Sequence, residues 1–456
     1  MIVTMENLRM SNYTIPIQLK NEENKYVLIH GYTGAMDVVT KSLYDKLKMI
    51  STSSNNLSSE LLQTLIKRGY ITTKTIEEEY AYVARIAKAL HKESDILNTS
   101  FTWVVTYNCN FRCPYCFEGR EKKDSGDKIV FTEKQVDIAY HALELIQPHK
   151  ELRNNVITLY GGEPLLAENK SLITYIVNEG RKRGYRFIAV TNGYELDCFQ
   201  DLLCDDGIYR VQVTIDGPKY IHNQRRIHYR DNNTFDKIID NIKLALDKGI
   251  RVVVRMNSDG RNIEHYLELK SYLETRKFFT YSNFYIYVAR LRDYYDISSF
   301  ERENIEFMLP EEFNKKQAKI GANPFTLDTG YYRDIYNALL NKRAIPFRPV
   351  ACKAQTSEYV LDPLGNIYPC WEVVGKKEHV KAVYSEEGIQ WNRDVLNIWQ
   401  DSDITTRDSC RKCQYALFCG GGCPYHRMLN KANHECYTFR SIFSNAINKA
   451  YAELIK

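Results

Sequence analysis

Three cysteines, Cys109, Cys113 and Cys116, fall within eight residues of the stretch TYNCNFRCPYCFEG, and the next cysteine is Cys198. A structural zinc or a fully ligated iron–sulfur cluster takes four ligands, so the fourth is supplied elsewhere or left out. Three thiolates on a cubane cluster leave one iron open to bind and activate a small molecule. A zinc knuckle is the alternative, although zinc loops favour CxxC pairs and closed sites. Downstream lie GGEP (Gly161–Pro164), TNG (Thr191–Gly193), VTIDGP (Val213–Pro218), HNQRR (His222–Arg226) and RMN (Arg255–Asn257). The paired glycines of GGEP let a backbone approach closely. The plainer reading of these motifs is turns, strand-end caps and salt bridges.

A second field holds Cys352, Cys370, Cys410, Cys413, Cys419, Cys423 and Cys436, written C-x12-G-x4-C, then C-x2-C-x5-C-x3-C, then a final C. Seven cysteines in 85 residues exceed one metal site, and a zinc ribbon accounts for four of them. Cys198 and Cys204 stand apart and read as ordinary thiols.

The elements that position these residues follow from periodicity. Strands are expected at Phe101–Thr106, Val156–Tyr160, Phe187–Thr191, Val211–Ile215, Arg251–Met256 and Phe284–Ala289. Amphipathic helices lie between them, among them Glu133–Ile146 with the start signal Thr132–Gln135, and Thr234–Lys248 stopped by Gly249. Six β–α repeats imply a parallel sheet, most simply a partial barrel, with ligands at the carboxyl ends of the strands. The cysteine loop begins at such an end. Before residue 95 come strand-like runs at Ile15–Lys20, Tyr26–His30 and Ala35–Val39, then helical patterns at Lys41–Ile50, Ser59–Arg68 and Glu77–Lys92, which make a small α+β module.

With 456 residues the chain has room for about two to four domains. It is 44% hydrophobic and 26% charged, with no apolar run long enough to span a membrane, so no membrane association is expected. A net charge of +5 without a basic run interleaved with aromatics argues against nucleic acid binding. The N-terminus lacks a signal-peptide pattern, so a cytoplasmic location is expected, where clustered cysteines hold metal rather than disulfides.

Taken together the motifs resemble the radical S-adenosylmethionine (SAM) superfamily, in which CxxxCxxC with an aromatic before its last cysteine, here Tyr115, holds a 4Fe–4S cluster with one iron open to SAM. The resemblance implies an α/β fold with a partial (β/α)6 TIM-like barrel over residues 96–300. It makes Cys109, Cys113 and Cys116 the catalytic cluster ligands. It also marks Tyr115, Gly161, Gly162, Glu163, Thr191, Asn192, Thr214, Asp216, Arg226 and Arg255 as cofactor-binding, with Glu163 on the methionine ammonium and Thr214, Asp216 and Arg226 toward ribose or carboxylate. Thr214 replaces the usual serine, and Asn223 an aspartate. In this family a reduced cluster gives one electron to the sulfonium, the C–S bond breaks, and a 5′-deoxyadenosyl radical takes a substrate hydrogen.

The C-terminal cysteines resemble the SPASM extension of peptide-modifying members, here residues 351–456, with two auxiliary 4Fe–4S clusters in addition to the first. By position, Cys410, Cys413, Cys419 and Cys436 ligate an outer cluster, and Cys352, Cys370 and Cys423 an inner one. No cysteine stands between Cys352 and Cys370, so the inner cluster is open to a substrate thiolate or closed by water or a non-cysteine ligand. Residues 1–95 resemble a winged-helix-like domain that binds the leader of a ribosomally synthesised precursor peptide, and 301–350 bridge the barrel to the cysteine-rich end. The resemblance implies an external one-electron reductant of flavodoxin or ferredoxin type. It points to a thioether-forming maturase of sactipeptide or ranthipeptide kind. Carbon–carbon crosslinking, epimerisation and Ser/Cys oxidation stay open, as does, in a different class, an iron–sulfur electron carrier. Sulfatase-maturing relatives carry an aspartate base after the G-x4-C cysteine; Trp371 stands there, followed by Glu372, which speaks against a formylglycine-forming role.

Overall fold

The structure, a computed structural model, describes residues 8–51, 57–116, 118, 128–293, 304–322, 327–429 and 433–455. Contacts group the chain into two compact units, each drawn from separated stretches. One combines Met1–Asp95, Leu327–Thr356 and Gln400–Lys456; the other combines Ile96–Thr326 and Ser357–Trp399. The sequence segments expected as an N-terminal module and a cysteine-rich end thus contribute to one body, while residues 357–399 join the barrel.

In the first unit, strands β1 (Arg9–Met10), β2 (Thr14–Gln18), β3 (Lys25–His30), β4 (Met36–Thr40) and β5 (Ile71–Thr72) form two small sheets. β2, β3 and β4 are antiparallel in that order, and β1 pairs with β5. Ile15, Ile17, Val27 and Ile29 alternate with their neighbours, giving the three-stranded sheet an apolar face. That face packs with Ile335 and Leu339 of helix Leu327–Leu340 and with Phe439, Phe443 and Ile447 of helix Asn433–Leu454. The edge of β2 is covered: Asn448 Oδ1 accepts from Lys20 N at 2.8 Å, and Asn448 Nδ2 donates to Gln18 O at 3.4 Å. β4 forms the other edge and is partly exposed. Helix Ser59–Arg68 has the expected bounds because Ser58 caps its start and Gly69, left-handed, ends it.

The second unit is built on one ten-stranded sheet. β6 (Thr99–Thr106), β7 (Arg153–Gly161), β8 (Arg186–Thr191), β9 (Ile208–Thr214), β10 (Arg251–Ser258) and β11 (Phe284–Arg290) run parallel in chain order, the six repeats expected from the sequence. Their outward positions, such as Trp103, Val105, Ile157, Leu159, Val211 and Val213, are buried in one core with the crossover helices. The helix Glu133–Ile146 opens on a full capping box between Thr132 and Gln135. Beyond the six strands, β12 (Glu358–Leu361) adds in parallel to β6, and β13 (Asn366–Tyr368), β14 (Ala382–Ser385) and β15 (Gly388–Trp391) continue antiparallel. These runs of three and four residues are too short to show a period. Among the described residues no helix is long and apolar enough to cross a membrane.

Candidate functional site

The three-cysteine loop leaves the end of β6 and is held by the loop after β7. Gly162 N donates to Thr106 O at 3.0 Å and Glu163 N to Asn108 O at 2.8 Å. A Cβ on Gly162 would lie 2.3 Å from Asn108 O, and one on Gly161, at φ +127°, 2.3 Å from Thr106 O. The close approach these glycines permit is therefore to the backbone of the cysteine loop. Within the loop, Cys116 N donates to Cys113 O at 3.1 Å, and Cys113 is buried. The residue before the loop, Tyr107, donates from Oη to the buried Asp362 at 2.7 Å, and Asp362 also accepts from Tyr368 Oη at 3.2 Å. Asp362 lies between β12 and β13, so the hairpin leading to Cys370 is tied to the base of the cysteine loop.

Glu163 is buried, and its carboxylate accepts from Leu165 N at 2.9 Å, Thr191 Oγ1 at 2.6 Å and Asn192 N at 2.6 Å. Burial pushes this carboxyl up to about 7 despite those donors. Asn192 Nδ2 donates to Asn110 Oδ1 at 2.7 Å, which joins the end of β8 to the cysteine loop.

Asp216, just past β9, has no exposed surface. Its Oδ2 accepts from Tyr115 Oη and lies 3.6 Å from Arg225 Nε, while Oδ1 accepts from Asn257 N at 3.2 Å. Arg225 also pairs with Asp259 at 2.8 Å, and its guanidinium lies 5.2 Å from the Tyr115 ring centre. Arg226 donates to Tyr115 Oη at 3.3 Å and lies over the Phe111 ring. Both Asp216 oxygens are thus engaged by protein groups, and its place is to hold Tyr115 at the end of the cysteine loop. Thr214 and Arg255 are register partners on β9 and β10, on the face opposite the helix-packed residues. Arg225, Asn257 and Asn110 lie inside the motifs HNQRR, RMN and TYNCNFRCPYCFEG without having been assigned a role, and Asp362 lies outside them all. Of the two arginines of HNQRR, Arg225 pairs with Asp216 and Asp259 while Arg226 donates to Tyr115.

The implied cofactors fit what the strand ends leave unmet. Arg226 Nε, Arg255 Nε, Asn257 Oδ1 and Asn110 Nδ2 are buried without a hydrogen-bond partner. Two cationic donors, an acceptor and an amide donor at the carboxyl ends of one sheet suit a zwitterionic ligand that carries a carboxylate, as SAM does.

In the cysteine-rich stretch all cysteines are free thiols. Burial raises Cys419 to about 12, and Cys436, Cys413 and Cys410 lie near enough to act on it in the same direction. Cys410 is raised for the same first reason, with Cys436 and Cys413 again among its neighbours. Cys410, Cys413 and Cys419 are partly buried and Cys436 is exposed; as a set of soft donors the four suit a metal cluster, which binds them as thiolates. Cys352 and Cys423 belong to the first compact unit and Cys370 to the second. Trp371, next to Cys370, stacks on Tyr160 at the end of β7 with ring centres 5.7 Å apart, and Glu372 lies 3.8 Å from Arg292.

A sequence profile of the Radical SAM superfamily matches residues 103–273. The cysteine-type anaerobic sulfatase-maturating enzyme of Clostridium novyi is 24% identical over 375 residues, 75% of this chain and 93% of that protein. The radical SAM cyclopropyl synthase TigE of Paramaledivibacter caminithermalis is 21% identical over 458 residues, 92% of this chain and 90% of that one. Among solved structures, anSMEcpe with bound AdoMet and Cp18Cys peptide has a TM-score of 0.55 at 16% identity, covering 78% of this chain and 99% of the other. Streptococcus suis SuiB bound to S-adenosylmethionine reaches 0.50 at 12%, covering 94% and 98%. At these identities the structural likeness is one of fold.

Proposed function

We propose, from the radical SAM domain that residues 103–273 form, that this chain modifies a ribosomally made precursor peptide by joining a cysteine sulfur to a carbon. When bound, the 4Fe–4S cluster and SAM supply a carbon-centred radical that removes a substrate hydrogen. Cys109, Cys113 and Cys116 would hold that cluster. Glu163 would receive the methionine ammonium, Arg226 and Arg255 the carboxylate, and Thr191, Asn192 and Asp216 keep Glu163 and Tyr115 in place. The barrel wall keeps water and stray hydrogen donors away from the reacting carbon.

The observation that carries the thioether reading is a count. Once Cys410, Cys413, Cys419 and Cys436 are assigned together, Cys352, Cys370 and Cys423 remain, one short of a closed cluster. A substrate thiolate is the soft ligand that completes such a set. A peptide substrate is supported by the likeness to a sulfatase-maturating enzyme and to anSMEcpe with its bound Cp18Cys peptide. For the leader, β4 is the open edge of the N-terminal sheet, and a cleft of about 670 Å³ beside it is lined by Lys25, Thr40, Lys41 and Lys46. An extended peptide would add to that edge by backbone pairing.

The test is co-expression with a short cysteine-containing precursor encoded beside this gene, followed by mass spectrometry. Thioether formation takes one hydrogen from carbon and one from the thiol, so the product lacks two hydrogens and has one thiol closed to alkylation. Carbon–carbon bond formation is the second reading, favoured by the likeness to TigE; it gives a modified peptide with every thiol still free.

A further inference from the structure

Arg427 sits in the short helix Pro424–Met428, directly after the C-x2-C-x5-C-x3-C run, and only 7% of it is exposed. Its Nη2 donates to Ser402 O and, at 3.4 Å, to Gly422 O. Nε and Nη1 are buried with no hydrogen-bond partner. No carboxylate lies within ion-pair distance of this guanidinium among the described residues. Arginine does not shed its charge, so a buried guanidinium with two unmet donors is costly unless an anion faces it.

The surroundings identify the anion. Burial is the largest influence on Arg427 and opposes its charge, as does Arg407, while the thiols of Cys410, Cys423 and Cys419 favour it. A Cβ on Gly421 would stand 3.1 Å from Nη1, so the guanidinium lies against the loop that joins Cys419 to Cys423. Arg411 adds a second buried and unpartnered Nε, and the acid beside it, Asp408, is held by Arg411 Nη2 at 2.8 Å. Neutral thiols do not call for buried cations. A 4Fe–4S core on four thiolates does, because it is a dianion when oxidised and gains a further negative charge on reduction.

Resting on the reading that Cys410, Cys413, Cys419 and Cys436 hold one cluster, we propose that Arg427 is the residue that sets that cluster's reduction potential, through its charge and its Nε and Nη1 donors. The guanidinium favours the more negative, reduced form, so its removal lowers the potential. Arg427 is a positioning and tuning residue; it touches no substrate.

The experiment uses the full chain, reconstituted with iron and sulfide, in a Cys109→Ala/Cys113→Ala/Cys116→Ala background that silences the first cluster. Redox titration followed by electron paramagnetic resonance is run on this protein and on its Arg427→Lys and Arg427→Met variants. In Arg427→Met the reduced-to-oxidised ratio at fixed potential should fall at least tenfold, equivalent to about 59 mV for one electron. Arg427→Lys, which keeps the charge but loses the fork, should fall between. A ratio unchanged within twofold in Arg427→Met at full iron content overturns the proposal. Should Arg427→Met fail to hold iron, protein grown with guanidino-15N-arginine decides the matter. A hyperfine coupling from that nitrogen on the reduced auxiliary cluster supports the role, and its absence overturns it. Cys410→Ala separates the two layers of argument. Loss of one cluster's iron upholds the ligand reading, whereas unchanged iron removes that reading and the role of Arg427 with it.

Discussion

Glu163 gives the sharpest quantitative test of the proposed cofactor site, because there a proton and the cofactor's ammonium would compete for the same carboxylate. Its carboxyl rises from 4.5 to about 7 through burial. Below about pH 4.5 the group is protonated in both folded and unfolded chains and costs nothing. As pH rises to about 7 the unfolded chain ionises while the folded one resists, so stability of the SAM-free protein falls, by roughly 3 kcal/mol at 1.36 kcal/mol per unit. Glu163→Gln removes that slope, but its NH2 group faces one of three donors, Leu165 N, Thr191 Oγ1 or Asn192 N, at a cost of about 1–3 kcal/mol. The variant should therefore be clearly less stable than the parent at pH 5 and close to it at pH 8. Denaturant unfolding of SAM-free protein across pH 5–8, read as the difference between the two proteins, checks this. SAM carries its own positive charge to the carboxylate, so its affinity for the parent should weaken roughly tenfold per unit below pH 7 and that of Glu163→Gln should not. Parallel stability curves, or a SAM affinity with the same pH dependence in both proteins, would refute the placement of this carboxylate against the ammonium.

Gly162→Ala sets a methyl group 2.3 Å from Asn108 O; the cysteine loop must shift, at roughly 1–3 kcal/mol for overpacking, and reconstituted protein should lose iron from the first cluster while its auxiliary iron stays. Asp216→Ala leaves Arg225 and Tyr115 without their buried carboxylate, a loss of about 3–5 kcal/mol for breaking a buried pair, visible as a lowered melting temperature. Asp362→Ala strands the hydroxyls of Tyr107 and Tyr368 at about 1–3 kcal/mol each, and limited proteolysis should then cut near the hairpin of β12 and β13. Val38, 48% exposed on the open edge strand, should weaken precursor binding by about tenfold as Val38→Lys, since a charge on an edge opposes strand addition, with peptide-independent SAM cleavage unchanged.

What could be read from the chain was what local chemistry decides. Helix Glu133–Ile146 was legible to the residue because the Thr132–Gln135 box is a four-residue device. The six barrel strands were legible as apolar runs long enough to stand out, and in β6 and β10 nearly every position is buried. β13, with three residues, has no period to read and owes its place to pairing with β12 and β14. Asp216 illustrates the limit at the site. Its motif marks it as a functional position, but its partners Tyr115, Arg225 and Asn257 arrive from three different elements, and only their arrangement shows a carboxylate spent on holding the protein. Asp362 carried no signal at all, since nothing in DPLGN announces tyrosines from positions 107 and 368.

The first compact unit also dictates an order of events during synthesis. Ile15, Ile17, Val27 and Ile29 complete their core with Phe439, Phe443 and Ile447, residues that are synthesised far later. At about 5–20 residues per second the N-terminal sheet waits roughly 20–80 s for that partner, with its apolar face uncovered. The barrel strands emerge in that interval and pair in chain order, so the catalytic unit is assembled before the module with which the chain begins. A nascent chain stalled before the final helix would carry a folded barrel behind an unfinished N-terminus, and chaperones would meet it there.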